Sequence, residues 1–282
     1  MTFVRTLQQI SDAGSTSQPN EDGWGVRGRF AWIVDGATGV SGVKLTSGGS
    51  DAAWLAGLIT ERLQAYAPSE IVLQTVERDL EAAFAGVAGE HPSAEEAVAP
   101  SACLGLIEIR DAKGGGLHVR GSFLGDVVAL VPERDGVARW TDERAKPFER
   151  LTLASLRKGG GGEISDETRA QILENRMSLN RPDGYWVVHP RRPWAGHELP
   201  FEAEVEAGRP IVLATDGFMR LVDVFGTYTD ETLYDALAAG GASALMAELR
   251  GLETEEGSLD SCPRVKAHDD ATVLVIAGEA GP

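Results

Sequence analysis

The chain has 282 residues, 43% of them hydrophobic and 24% charged, which describes an ordinary soluble globular protein able to bury a sizeable core. Its 26 Lys and Arg against 43 Asp and Glu give a formal charge of -17; this works against nucleic acid or an anionic membrane face as partner, since no basic residues are gathered to offset it. Two distant cysteines, Cys103 and Cys262, exclude a disulfide framework and a Cys-rich zinc site, and the lack of a leader-like or spanning apolar stretch makes a cytoplasmic protein the expectation.

Residues 3–10 alternate as a strand, and "GSTSQPNED" follows as a loop. The stretch "GWGVRGRFAWIVDG" predicts a hairpin. With the bend between Gly28 and Arg29, Asp22 stands opposite Asp35, Trp24 opposite Ile33 and Val26 opposite Ala31, all on one face. A glycine-rich loop leads to two amphipathic helices. The first aligns Ala52, Leu55, Ala56, Ile59, Leu63 and Tyr66; the second, with Ser69 as N-cap, aligns Val72, Val76, Leu80, Ala83 and Val87. After a loop over 91–100, the segments "ACLGLIEI", "GLHVRGSFLG", "DVVALVPE" and "VARWTD" predict a β-meander. A helix over 165–180 capped by Ser165 comes next, then strands at "GYWVVH", "FEAEVEAG" and "PIVLATDG". A helical stretch over 230–250 broken at Gly240-Gly241 and a last strand "ATVLVIAG" complete the chain. Strands in blocks and helices in pairs point to an α+β fold, a two-layer antiparallel β-sandwich flanked by helices, built as a single domain over 1–282.

Apolar strands in this chain end repeatedly in acid. "NED", "VDG", "LGD", "TDG" and "DDATV" place Glu21, Asp22, Asp35, Asp126, Asp216, Asp269 and Asp270 at strand lips. Asp-Gly is also ordinary turn chemistry, and the pairs at Asp135 and Asp183 are read as turns. Two carboxylates directly opposite on a hairpin, however, are destabilising unless a cation lies between them. Hard divalent ions such as Mg²⁺ or Mn²⁺ favour such all-oxygen surroundings.

In order and wording, "NEDGWGV", "AWIVDGATG", "GSFLGDVVALV", "IVLATDGF" and "DDATVLVI" resemble the metal-dependent protein phosphatases of the type 2C class in their bacterial form, from about Ser11 to Ala277. The resemblance implies a four-layer αββα fold and a binuclear Mg²⁺ or Mn²⁺ centre. Asp35 would bridge both ions, with Glu21 and the Gly36 carbonyl on one and Asp216 and Asp269 on the other; Asp22 would hold bound waters, and Asp126 matches the position of a third, weaker ion. It further implies hydrolysis of phosphoserine or phosphothreonine in proteins by a water activated between the metals, with a phosphorylated protein as partner, its cognate serine/threonine kinase as an associate, and a signalling role. Strand parity puts Asp22, not Glu21, on the face of Asp35.

The chain departs from the family in two places. An arginine that holds the substrate phosphate in many relatives is Ser17 here, which leaves Lys44 and Arg220 as candidates for that charge. The histidine after "VDG" in many eukaryotic relatives is Ala37. The loop "KGGGGE", Lys158 to Glu163, lacks the ending of a phosphate loop, and its neighbourhood 141–180 is read as a flap. These departures motivate an alternative, a catalytically silent relative that binds metal or phosphoprotein as a regulatory module.

Overall fold

A computed structural model describes residues 2–37, 44–46, 49–67, 70–88, 99–112, 115–156 and 164–280. The expected cap at Ser69, the Lys158–Glu163 loop and most of the loops over 36–50 and 91–100 lie outside the described residues.

Among the described residues ten strands form two antiparallel sheets of five. One is ordered β1(Thr2–Asp12), β10(Ala271–Ala280), β9(Ile211–Ala214), β6(Val128–Glu133), β7(Gly136–Trp140). The other runs β2(Asp22–Arg27), β3(Phe30–Ala37), β4(Ser101–Asp111), β5(Leu117–Leu124), β8(Leu199–Val205). The inner faces of both sheets share one core, with Ala31, Ile33, Ile107, Val119, Leu213 and Leu274 among its buried members. Helices α1(Asp51–Ala65) and α2(Leu73–Ala88) cover the outer face of the second sheet. Helices α5(Asp216–Asp223), α6(Asp230–Ala238) and α7(Ala242–Thr254) cover that of the first. The sandwich flanked by helices is therefore as expected.

The central strand β3 has both faces covered and accordingly reads as a continuous apolar run. Ala31 and Ile33 enter the inter-sheet core while Phe30, Trp32 and Val34 pack against α1 and α2. The predicted hairpin register is found, with Asp22↔Asp35, Trp24↔Ile33 and Val26↔Ala31 as partners and Gly28 in the bend at φ +59°. Alternation carries Asp35 onto the same inward face as Ala31 and Ile33.

Four expectations need correction or addition. The segments after residue 100 do not form one meander: β4 and β5 belong to one sheet and β6 and β7 to the other, and the chain crosses between sheets at Gly125–Val127. That crossing brings Asp126 to the lip. "GYWVVH" makes only isolated bridges, Leu179↔Tyr185 and Ala102↔Val188, because β4 already has β3 and β5 as neighbours. The buried stripe of α2 is Val76, Leu80, Phe84 and Ala88, with Val72 and Val87 exposed, because Phe84 turns inward to meet Trp54 at a centroid distance of 5.9 Å. A helix the sequence reading lacked, α3(Lys146–Ala154), precedes α4(Asp166–Met177), whose Ser165 cap accepts from Thr168 N at 3.2 Å. Among the described residues no helix is long and apolar enough to cross a membrane, and both cysteines are free.

Candidate metal centre

At one lip of the sandwich the inward-facing positions change character together. Below it they are apolar; the next position along each strand is Asp22 on β2, Asp35 on β3, Thr215 after β9 and Thr272 on β10. Thr215 Oγ1 donates to Asp22 Oδ2 at 3.0 Å and accepts from Thr272 N at 2.9 Å. The Thr272 hydroxyl meets Ser11 Oγ at 2.7 Å, and Ser11 Oγ accepts from Asn20 Nδ2 at 2.8 Å. A hydroxyl layer thus joins the two sheets directly beneath the acids. Sequence reading missed it, because a threonine at a strand end carries no signal apart from its neighbours in space.

Neither Asp-Gly pair of the site is a turn. Gly36 lies within β3 and Gly217 in the first turn of α5, and neither has a positive φ. Close approach accounts for both. A Cβ on Gly36 would lie 2.6 Å from Glu21 O, the oxygen that accepts from Gly36 N at 3.0 Å, and one on Gly217 would lie 1.9 Å from Asp270 O. The glycines let four acidic segments touch in two pairs, Glu21 with Gly36 and Gly217 with Asp270. Asp135, in contrast, does sit in the tight β6–β7 turn, before Gly136 at φ +143°.

The acids crowd one another. Burial, then the charges of Asp216, Asp22 and Asp126, push the Asp35 carboxyl well above the usual carboxylate range. Asp35 shares a hydrogen bond with Asp216 and, being the harder to ionise, is the protonated donor. Asp216 is itself pushed up to about 7 by burial and the neighbouring Asp126 and Asp269. Burial drives Asp22 up to about 8 against the hydroxyls of Thr272 and Thr215, with Asp270 and Asp216 adding to the rise. Glu149 on α3, which hydrogen-bonds Asp126, is raised to about 8 by burial and by Asp126. The Cys103 thiol, opposite Asp35 on β4, is pushed up by burial and by Asp126, so it is not a thiolate. Asp35 thus touches Asp216, and the charge of Asp269 acts on Asp216.

Glu21, buried at 4% exposure, is bound at its backbone N–H by Asp270 Oδ2 at 3.0 Å. It precedes β2, so strand parity does not govern it, and both it and Asp22 reach the lip. Asp269 accepts at Oδ2 from Arg220 (2.7 Å) and at Oδ1 from Lys266 (2.8 Å). This corrects Arg220 as a free phosphate clamp: buried at 6% exposure, it also donates to Glu253 Oε1 at 2.6 Å, so its charge is committed within the protein. Lys44 is exposed at the border of the undescribed 38–43 segment. Ser17 is exposed, its hydroxyl 2.9 Å from that of Ser15.

A cleft of about 480 Å³ opens over the lip, lined by Asp126, Asp216 and Asp269 and walled by Glu149, Arg150 and Lys146 of α3. A side cavity of about 200 Å³ shares Asp126 and Glu149 with it and runs past Cys103, Phe148, Arg176 and Tyr185.

The chemistry of this donor set fits hard divalent cations. It is all oxygen, it holds acids that repel one another, and Asp22 Oδ1 is buried with no hydrogen-bond partner. Among the described residues no three His, Cys, Asp or Glu side chains stand ready to hold one ion, so the acids would have to draw together around it.

The protonated acids have a measurable consequence. Asp22 and Asp216 keep their protons near neutrality in the folded protein but lose them near pH 3.8 when unfolded, so unfolding releases protons between those limits. Their contribution to stability is complete below about pH 4 and is lost as the pH rises through 7 to 8. Thermal unfolding in a chelator is expected to occur about 5 °C or more lower at pH 8 than at pH 5.5. Saturating Mn²⁺ should remove that dependence; a flat chelator profile would contradict the reading.

No family model and no curated protein matches the chain. Solved structures do. The serine/threonine phosphatase PstP/Ppp of Mycobacterium tuberculosis is similar over 98% of each chain at 17% identity and a TM-score of 0.55. Serine/threonine phosphatase Stp1 from Staphylococcus aureus is similar over 99% of this chain and 96% of its own at 14% identity and a TM-score of 0.58. The catalytic domain of PstP, solved in complex with two manganese ions, is similar over 99% of this chain and 100% of its own at 15% identity and a TM-score of 0.55. Along essentially its whole length, then, the chain has the fold of the bacterial serine/threonine phosphatases, with its own acids gathered at one lip of the sandwich.

Proposed function

We propose that the protein is a metal-dependent serine/threonine phosphoprotein phosphatase. One observation carries the reading: acids from five distant segments meet at one edge of the inter-sheet core, in a fold shared with phosphatases, one of them solved with two manganese ions. Asp35, Glu21 and the Gly36 carbonyl, with Asp216 and Asp269, would hold two Mg²⁺ or Mn²⁺ ions, and Asp126 a third. When bound, such ions activate water and neutralise phosphoryl oxygens.

The chain's own contributions follow from the geometry. Asp35 and Asp216 must give up the proton they share before they can ligate, and Thr215 and Thr272 hold Asp22 toward the centre. Arg150 makes no hydrogen bond or ion pair among the described residues, and with Lys146 it gives the cleft wall the positive charge that Ser17 does not supply. Lys44 is a further source of that charge. The substrates are phosphorylated proteins, including targets of a cognate kinase, and α3 with α4 serves as the flap. The silent-relative reading has less support, since a binding module has little use for acids that repel in the absence of a metal.

Purified protein with Mn²⁺ is expected to hydrolyse p-nitrophenyl phosphate and a phosphothreonine peptide, and to stop on addition of chelator. Absence of chelator-sensitive turnover with both substrates would rule the proposal out.

A further inference from the structure

Lys266 stands three residues before Asp269, in an irregular segment on a short leash. Its ammonium is 2.8 Å from Asp269 Oδ1, while Arg220 holds the other oxygen of the same carboxylate. Despite burial, the charge of Asp269 and then that of Glu21 hold the Lys266 pKa above the ordinary lysine value. A positive group therefore stands on one of the acids proposed to hold metal, with the charge of a second, Glu21, acting on it. The two cations at Asp269 differ in exposure. Arg220 is 7% exposed and held also by Glu253, a residue whose side chain is wholly buried; the Lys266 side chain is 35% exposed.

We propose that Lys266 is a tethered counter-ion that occupies the cationic position at Asp269, on the side of Glu21, and competes with a divalent metal for it, so that loading of the Asp269 side requires the ammonium to swing out. This rests on the metal reading above and adds to it. In the metal-free protein the ammonium neutralises acids that would otherwise repel. Once it is displaced, it carries one positive charge to the rim of a cleft proposed to receive phosphate. A site built this way stays folded at low metal and loads only when metal is plentiful.

Calorimetric titration of the full chain with Mn²⁺, at fixed ionic strength, tests this with Lys266→Met and Lys266→Arg beside the wild type. Lys266→Met is expected to tighten the weaker of the two ions at least tenfold and to lower the unfolding temperature in chelator. Lys266→Arg, which keeps the charge, should stay within about threefold of wild type. Should the Met variant lose its circular dichroism, Lys266→Gln is read in the same way. Equal or weaker Mn²⁺ binding by the folded neutral variants overturns the proposal and leaves the metal reading standing. No Mn²⁺ binding by any of the proteins up to millimolar concentration overturns both.

Discussion

Asp35→Asn is expected to lower kcat/KM for Mn²⁺-dependent phosphoester hydrolysis by about a thousandfold or more, equivalent to roughly 4 kcal/mol of transition-state stabilisation. The same change is expected to make the metal-free protein more stable at pH 8, by about 1–2 kcal/mol. Both effects follow from one geometry. Asp35 lies opposite Asp22 across the hairpin and hydrogen-bonds Asp216, and burial with these like charges keeps its carboxyl protonated when no metal is present. Asparagine matches the protonated acid in shape and can donate to Asp216, but it cannot become the anion a bridging ligand must be. Thermal unfolding in chelator at pH 8 and at pH 5.5, alongside the assay, separates the two roles. A gain confined to the higher pH fits a residue retained for metal; a loss at both would mean that Asp35 serves the fold.

Arg220→Met is expected to destabilise the protein by about 3 kcal/mol, or roughly 6–12 °C in unfolding temperature. Arg220 lies between Glu253, whose side chain has no exposed surface, and Asp269. Glu253 also accepts from Arg250 at 2.5 Å and lies 3.3 Å from His268 Nδ1, so the network extends from α7 to the acid at the lip. Removing the guanidinium strands Glu253 Oε1 and Asp269 Oδ2 without their donor while Arg250 still holds Glu253 Oε2, and those desolvated oxygens are the main cost. Adding Glu253→Gln to Arg220→Met should recover more than half of the loss, because the more buried of the two stranded groups is then neutral. Additive losses from the two changes would show that Arg220 acts through packing instead. Mn²⁺ affinity should also fall in Arg220→Met, since Asp269 loses the partner that orients it.

Alternation, the Gly28 bend and the acid at each strand lip were enough to set out the β2–β3 hairpin, its register and the juxtaposition of Asp22 with Asp35. These are local consequences of the period of two, and β3 allows no slip because both its faces are buried. The faces of α1, the Ser165 cap and the break at Gly240-Gly241 are local in the same sense. Pairing beyond hairpins was decided only in three dimensions. Whether β5 continues into the same sheet or crosses at Asp126 depends on which edges are already taken, and the inward turn of Phe84 depends on Trp54.

The site divides along the same line. Residue type and strand position marked the acids, since a carboxylate after an apolar run stands out on its own. Their counter-charges did not stand out. Arg220 and the hydroxyls of Thr215, Thr272 and Ser11 acquire their roles from neighbours more than forty residues away or across the sandwich, at distances of about 3 Å that no spacing encodes. Sequence alone determined that acids would end the strands, because burial and alternation act residue by residue. Only the tertiary structure decided which cation sits on which acid, because electrostatic partners are chosen by proximity in space.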